Sequence, residues 1–76
     1  MKQLVQYMAE SLVDLPEQVS VNVIESENSI ILELKVAPED IGKVIGKQGR
    51  TAKAMRTILG AAATKLRKRC ILEIVE

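Results

Sequence analysis

The chain has no histidine, tryptophan or phenylalanine, one tyrosine and one cysteine. Without histidine the usual zinc-ligand sets cannot be assembled, and the commonest general base of enzymes is missing. A single thiol, Cys70, rules out an internal disulfide, which agrees with a reducing setting. Long apolar runs are also lacking. Met1 is followed by Lys2 and a stretch broken by Gln3, Gln6, Glu10 and Asp14, so neither a signal peptide nor a membrane span is found there. A cytoplasmic location without membrane insertion is therefore expected. Glycine is scarce as well, but its placement is informative: three of the four glycines fall in GKVIGKQGR, positions 42 to 50, together with three cations.

With 76 residues, 47% hydrophobic and 28% charged, the composition is that of one globular domain, expected to span residues 1–76. Its length is near the lower limit for a self-sufficient core, so a partner or a second copy would help to hold it together. The net charge of +1 conceals an asymmetry. Up to Asp40 there are two cations against eight acids; from Ile41 onward there are nine cations against two acids. Such polarity has two readings, an anionic partner docking on the second half with the acidic surface held away, or ordinary solvated surface.

In KQLVQYMAESLV the apolar residues Leu4, Val5, Met8 and Leu12 recur at helical spacing, which predicts a helix that ends before Pro16 and turns this stripe to the core. VSVNVIE and IILELKV alternate apolar and polar positions, the period of half-buried strands, and the polar ESENS makes them a hairpin. Ala37-Pro38-Glu39-Asp40 reads as a helix start, with proline at the first helical position and acids at the positive end of the dipole. Gly46 must end that helix early. A longer helix from about Arg50 to Arg67 places Ala52, Met55, Leu59, Ala62 and Leu66 on its inner face. CILEIV reads as a third strand, parallel to the second through a right-handed two-helix crossover. The expected fold is α+β, in the order α-β-β-α-α-β, a three-stranded sheet with helices packed on one face.

Two familiar phosphate loops fail on inspection. A Walker loop needs Ser or Thr after Gly46-Lys47 and a glycine five positions before Gly46, where Gln48 and Ile41 stand. A dinucleotide fingerprint needs G-x-G-x-x-G directly after a strand, whereas Gly42, Gly46 and Gly49 follow a helical stretch at other spacings. What remains is Gly46-Lys47-Gln48-Gly49 as a tight link between two helices. Its first glycine ends one helix in a conformation closed to bulky residues, and its last keeps the approach to the next free of a β-carbon. Amides at the start of the second helix would then point outward, unpaired, at the positive end of a dipole, a site suited to phosphate. Lys47 and Arg50 lie on or beside this turn, and Lys43, Lys53 and Arg56 would extend the positive surface. The alternative is a plain corner whose glycines serve only to bend the chain.

IGKVIGKQGRTAKAM resembles the signature of a KH domain, in which V-I-G-x-x-G joins two helices and clamps about four nucleotides. The helix-first, strand-last order resembles the type II arrangement, and the likeness covers nearly the whole chain. It is similar to the small bacterial RNA-binding proteins of the KhpA family. That resemblance implies a non-catalytic protein that binds single-stranded RNA with little sequence preference. It also implies self-association or pairing with a KhpB-like KH protein, action as an RNA chaperone or post-transcriptional regulator, and links to cell division and envelope growth. No cofactor, metal or small-molecule substrate is implied.

Carried over by position, Gly46, Lys47, Gln48 and Gly49 match the clamp, Ile45 the apolar residue before it, and Arg50 a frequent basic neighbour. The KH groove floor is apolar, so Ile41, Val44 and Ile45 are candidates for contact with bases, with core packing as the alternative for each. Ala52 stands where the family often has a bulky aliphatic residue. Tyr7 is the only aromatic ring and lies in the first helix, so stacking cannot supply recognition; aliphatic contact and backbone hydrogen bonds must. Two features remain open in meaning. Gly60-Ala61-Ala62-Ala63-Thr64 would let either a partner or the protein's own sheet pack closely, and Lys65, Arg67, Lys68 and Arg69 would either complement the helix dipole or bind an anion. A KH-shaped protein-interaction domain acting through dimerisation is the alternative function.

Overall fold

A computed structural model describes residues 1–75. The elements are α1 (Lys2–Leu12), β1 (Ser20–Glu25), β2 (Ser29–Lys35), α2 (Ile41–Ile45), α3 (Arg50–Lys65) and β3 (Arg69–Val75), with single 3-10 turns at Pro16–Gln18, Pro38–Asp40 and Lys47–Gly49. This is the expected order of helices and strands. β1 and β2 pair antiparallel, β2 and β3 parallel, and β2 is the central strand.

Alternation along the strands turns Val21, Ile30, Leu32, Leu34 and Leu72 inward, where they meet Val5 and Ala9 of α1, Val44 of α2, and Met55 and Leu59 of α3. Leu32, Leu34 and Leu59 are among the largest fully buried side chains, each contributing about 1.5–3 kcal/mol through removal from water. The helices therefore cover one sheet face. On the other face stand Ile24, Ile31, Glu33, Lys35, Ile71 and Glu73.

Several inward assignments shift by a fraction of a turn. In α1 the buried positions are Val5 and Ala9, while Leu4 and Leu12 are left 38% exposed at the edges of the stripe. A short residue at position 9 lets the helix sit close to the sheet, which lifts the longer flanking side chains to the rim. In α3, Ala63 rather than Ala62 is fully buried, and Leu66 lies past the helix end, 56% exposed. Arg67 stops the helix in a left-handed conformation, φ 57°. The Arg67 and Lys68 amides donate back to the carbonyls of Thr64 and Ala63 at 3.0 and 3.1 Å, satisfying groups that a helix end otherwise leaves bare.

The acidic and basic halves do not stand apart as charge counting suggested. All three ion pairs among the described residues join them: Lys43 to Asp14 at 2.8 Å, Lys43 to Asp40 at 3.4 Å, and Lys68 to Glu25.

Candidate nucleic-acid interface

The corner between α2 and α3 is built by backbone conformation. α2 lasts five residues and is closed by the Gly46 amide, which donates to the Gly42 carbonyl at 2.9 Å. Gly46 then adopts φ 77°, ψ 172°, a region essentially confined to glycine. A β-carbon there would also meet Thr51, 2.6 Å from its Cβ and 2.9 Å from its amide nitrogen. Gln48 (φ 57°, ψ 26°) and Gly49 (φ 74°, ψ 11°) follow in left-handed geometry and turn the chain into α3. Around Gly49 the space is open, so its requirement is one of conformation alone.

The hydrogen bonds of this corner identify which amides face outward. The Gly49 amide donates to the Gly46 carbonyl at 3.1 Å, and the Arg50 amide donates to the Lys47 carbonyl. Among the described residues, the amides of Lys47 and Gln48 meet no acceptor. Of the amides expected to be free at the start of α3, that of Arg50 is engaged within the turn, and free donors stand inside the turn itself. Two successive free amides in a turn, ahead of a 16-residue helix that presents the positive end of its dipole, make a concavity for an anion.

Exposed side chains of Lys47, Gln48, Arg50 and Lys53 surround it, with Gly46 and Gly49 half-buried beneath. Arg50 donates to the side-chain oxygen of Gln48 at 3.0 Å, which holds the guanidinium beside the turn. Ile45, 38% exposed, offers an apolar surface next to the clamp, and half-buried Ile41 packs against the core. Of the two readings of Val44, base contact or core packing, its full burial favours packing, since the inner side of the short helix α2 falls on that residue. Ala52 is buried as well.

Lys43 is brought elsewhere. Its ammonium bridges Asp14 and Asp40, and the bond to Asp14 together with these two charges, working against partial burial, raises its pKa above the ordinary lysine value. Arg56 reaches from α3 to β3, donating to the Leu72 carbonyl at 3.2 Å. Two contributors were not singled out for this role. Thr51 fills the space that Gly46 leaves, and Asp40, read as a dipole acid, is a fully buried carboxylate accepting the amide hydrogens of Leu15 and Asp14 at 3.0 and 3.3 Å. The only sequence signal for Asp40 is its place just before the glycine-bearing helix.

Burial raises the half-buried Cys70 thiol above its ordinary value, leaving little thiolate for nucleophilic chemistry. Between α1 and α3 a cleft of about 280 Å³ is lined by Tyr7, Leu12, Ala54 and Ile58 among others.

A family model described as KhpA/KhpB, KH domain matches residues 2–74. Proteins named RNA-binding protein KhpA from Clostridium acetobutylicum and Clostridium perfringens are each 63% identical over 75 residues, covering 99% of this chain and 100% of theirs. The protein of that name from Aquifex aeolicus is 50% identical over 76 residues, covering 100% of this chain and 96% of its own. No solved structure gives a significant match. With relatives this similar over their whole length, and a family match running from the first helix into the last strand, the chain belongs to the KhpA/KhpB KH-domain family.

Proposed function

We propose that this chain is a non-catalytic RNA-binding protein that grips single-stranded RNA by its sugar-phosphate backbone at Gly46–Gly49. The observation that carries the reading is the pair of unpaired amides at Lys47 and Gln48, set among exposed Lys47, Arg50 and Lys53. Amides position a phosphate at short range, and the cations add attraction that does not depend on sequence. With Tyr7 on α1 as the single aromatic ring of the chain, stacking on successive bases is not available and bases meet aliphatic surface at Ile45, so low base preference follows. Relatives carrying the name RNA-binding protein support the same reading.

Replacing Lys47 and Gln48 together by aspartate reverses the local charge on exposed positions. RNA affinity should fall more than about tenfold with an unchanged circular dichroism spectrum. Undiminished binding by that variant would discard the clamp.

The finer parts of the proposal are a cytoplasmic RNA chaperone or post-transcriptional regulator, working as a homodimer or with a KhpB-like partner, linked to cell division and envelope growth. These rest on the family resemblance. A second reading, a scaffold acting mainly through such pairing, is favoured by the apolar side chains left exposed at Tyr7, Ile58 and Ile71. RNA affinity of the parent chain, set beside gel filtration with and without RNA, separates the two, because a scaffold pairs without engaging nucleic acid at Gly46–Gly49.

A further inference from the structure

The four cations at the far end of α3, Lys65, Arg67, Lys68 and Arg69, are divided by the fold. Lys68 is half-buried and pairs with Glu25 of β1. Lys65, Arg67 and Arg69 are exposed, and among the described residues none of their side chains meets a hydrogen-bond or ion-pair partner.

Closing the helix does not require these three side chains. The amides of Leu66, Arg67 and Lys68 already donate to the carbonyls of Ala63 and Thr64, and the Arg69 amide donates to the Asn28 carbonyl at 2.9 Å. Cations near a helix C-terminus still complement the dipole. At Arg67 that gain is offset, because the residue holds the left-handed angle (φ 57°) that glycine normally supplies just past a helix end. An arginine at this position is therefore not explained by the fold alone.

The surface between this cluster and the clamp is open to a polyanion. α3 contains no acidic residue. At helical spacing from Arg50, one side of the helix carries Lys53, Thr57, Ala61 and Thr64, all exposed, so no carboxylate of α3 repels a strand laid along it and beyond Lys53 no long side chain obstructs one. The 16 residues of α3, rising about 1.5 Å each, span about 24 Å, which a strand with phosphates about 3.4 Å apart or more crosses within about seven nucleotides.

We infer that Lys65, Arg67 and Arg69 form a second phosphate-binding site for the same RNA strand that the clamp holds, reached along the outer side of α3. The inference rests on the clamp reading and extends it. An RNA just long enough to fill Gly46–Gly49 touches the clamp alone, and a longer one gains contacts at the far end of the helix.

Fluorescence anisotropy of the full chain with unstructured oligouridylates of roughly 5 and roughly 16 nucleotides tests this. In the double variant Arg67→Gly, Arg69→Gln, affinity for the longer RNA should fall about fivefold or more and its salt slope should shrink by about 1.4, about 0.7 for each contact removed, while the shorter RNA is bound as by the parent. Arg67→Gly alone should bind the longer RNA more weakly even though its melting temperature rises, an opposition that a purely structural arginine would not produce. Unchanged affinity of the double variant for the longer RNA would overturn the site and leave the cluster to the helix dipole or to an acidic protein. Equal losses on both lengths would overturn it too, since they would place the effect at the clamp or on the fold. The clamp itself is judged separately by Lys47→Asp with Gln48→Asp, which should weaken both lengths; a short RNA bound undiminished by that variant would discard the clamp whatever Arg67 and Arg69 do.

Discussion

The carboxylate of Asp40 accepts the amide hydrogen of Leu15 at 3.0 Å, tying the start of α2 to the segment that follows α1. The clamp begins six residues further on, so the anchor fixes where Gly46 is delivered. Burial alone would raise the Asp40 pKa. The amide hydrogens of Leu15 and Asp14 and the Lys43 ammonium outweigh it, and the group titrates below its ordinary 3.8. A depressed carboxyl contributes stability that is present above its unfolded value and lost as pH falls through its folded value. Asp40→Asn should therefore melt at a lower temperature than the parent above pH 3.8, and the gap should narrow as acid is added below it. Melting curves on both sides of that pH check this, and a gap that stays constant would remove Asp40 from the account.

The two clamp glycines should respond unequally to alanine. At Gly46 the new methyl meets Thr51 and the backbone angles are closed to it, so Gly46→Ala should cost at least about 2 kcal/mol. At Gly49 only the left-handed angle opposes it, a cost of about 1 kcal/mol. Urea denaturation of both variants measures the difference.

Arg67 holds a left-handed position that glycine fills more easily. Arg67→Gly should stabilise the chain by up to about 1 kcal/mol, seen as a rise of a few degrees in Tm. An equal or lower Tm would show that the arginine side chain contributes more than its backbone angle loses.

Much of this architecture was legible in the sequence because it depends on period and punctuation. The alternation of VSVNVIE and IILELKV sets both strands and their register, and Gly46 marks where α2 must stop. What escaped depends on contacts between distant segments. Lys43 looks free in GKVIGKQGR, but Asp14, 29 positions away, captures it. Val44 can be read from the sequence as groove floor or as core, and a helix of five residues has room for one inward residue, which is Val44. Leu66 fits the apolar stripe of α3 by spacing, but the helix has already ended. The Arg50 amide looked free at the helix start, but the corner closes with a 3-10 turn that uses it.

Salt should weaken RNA binding in proportion to the phosphates engaged. With Lys47, Arg50 and Lys53 as the contributing cations, the slope of log affinity against log salt should be about −2, and Lys53→Ala should reduce its magnitude by about 0.7. Fluorescence anisotropy with a short unstructured RNA provides both values. A flat dependence would argue against phosphate contact.

Following backbone amide resonances while single-stranded RNA is added tests the central claim most directly. The account predicts that the largest shifts fall on the amides of Lys47 and Gln48, with smaller ones at Gly46, Gly49 and Arg50, whose hydrogens are already bonded within the turn. Saturable binding that leaves Lys47 and Gln48 unshifted, and moves resonances on the open face of the sheet or along α1 instead, would contradict it.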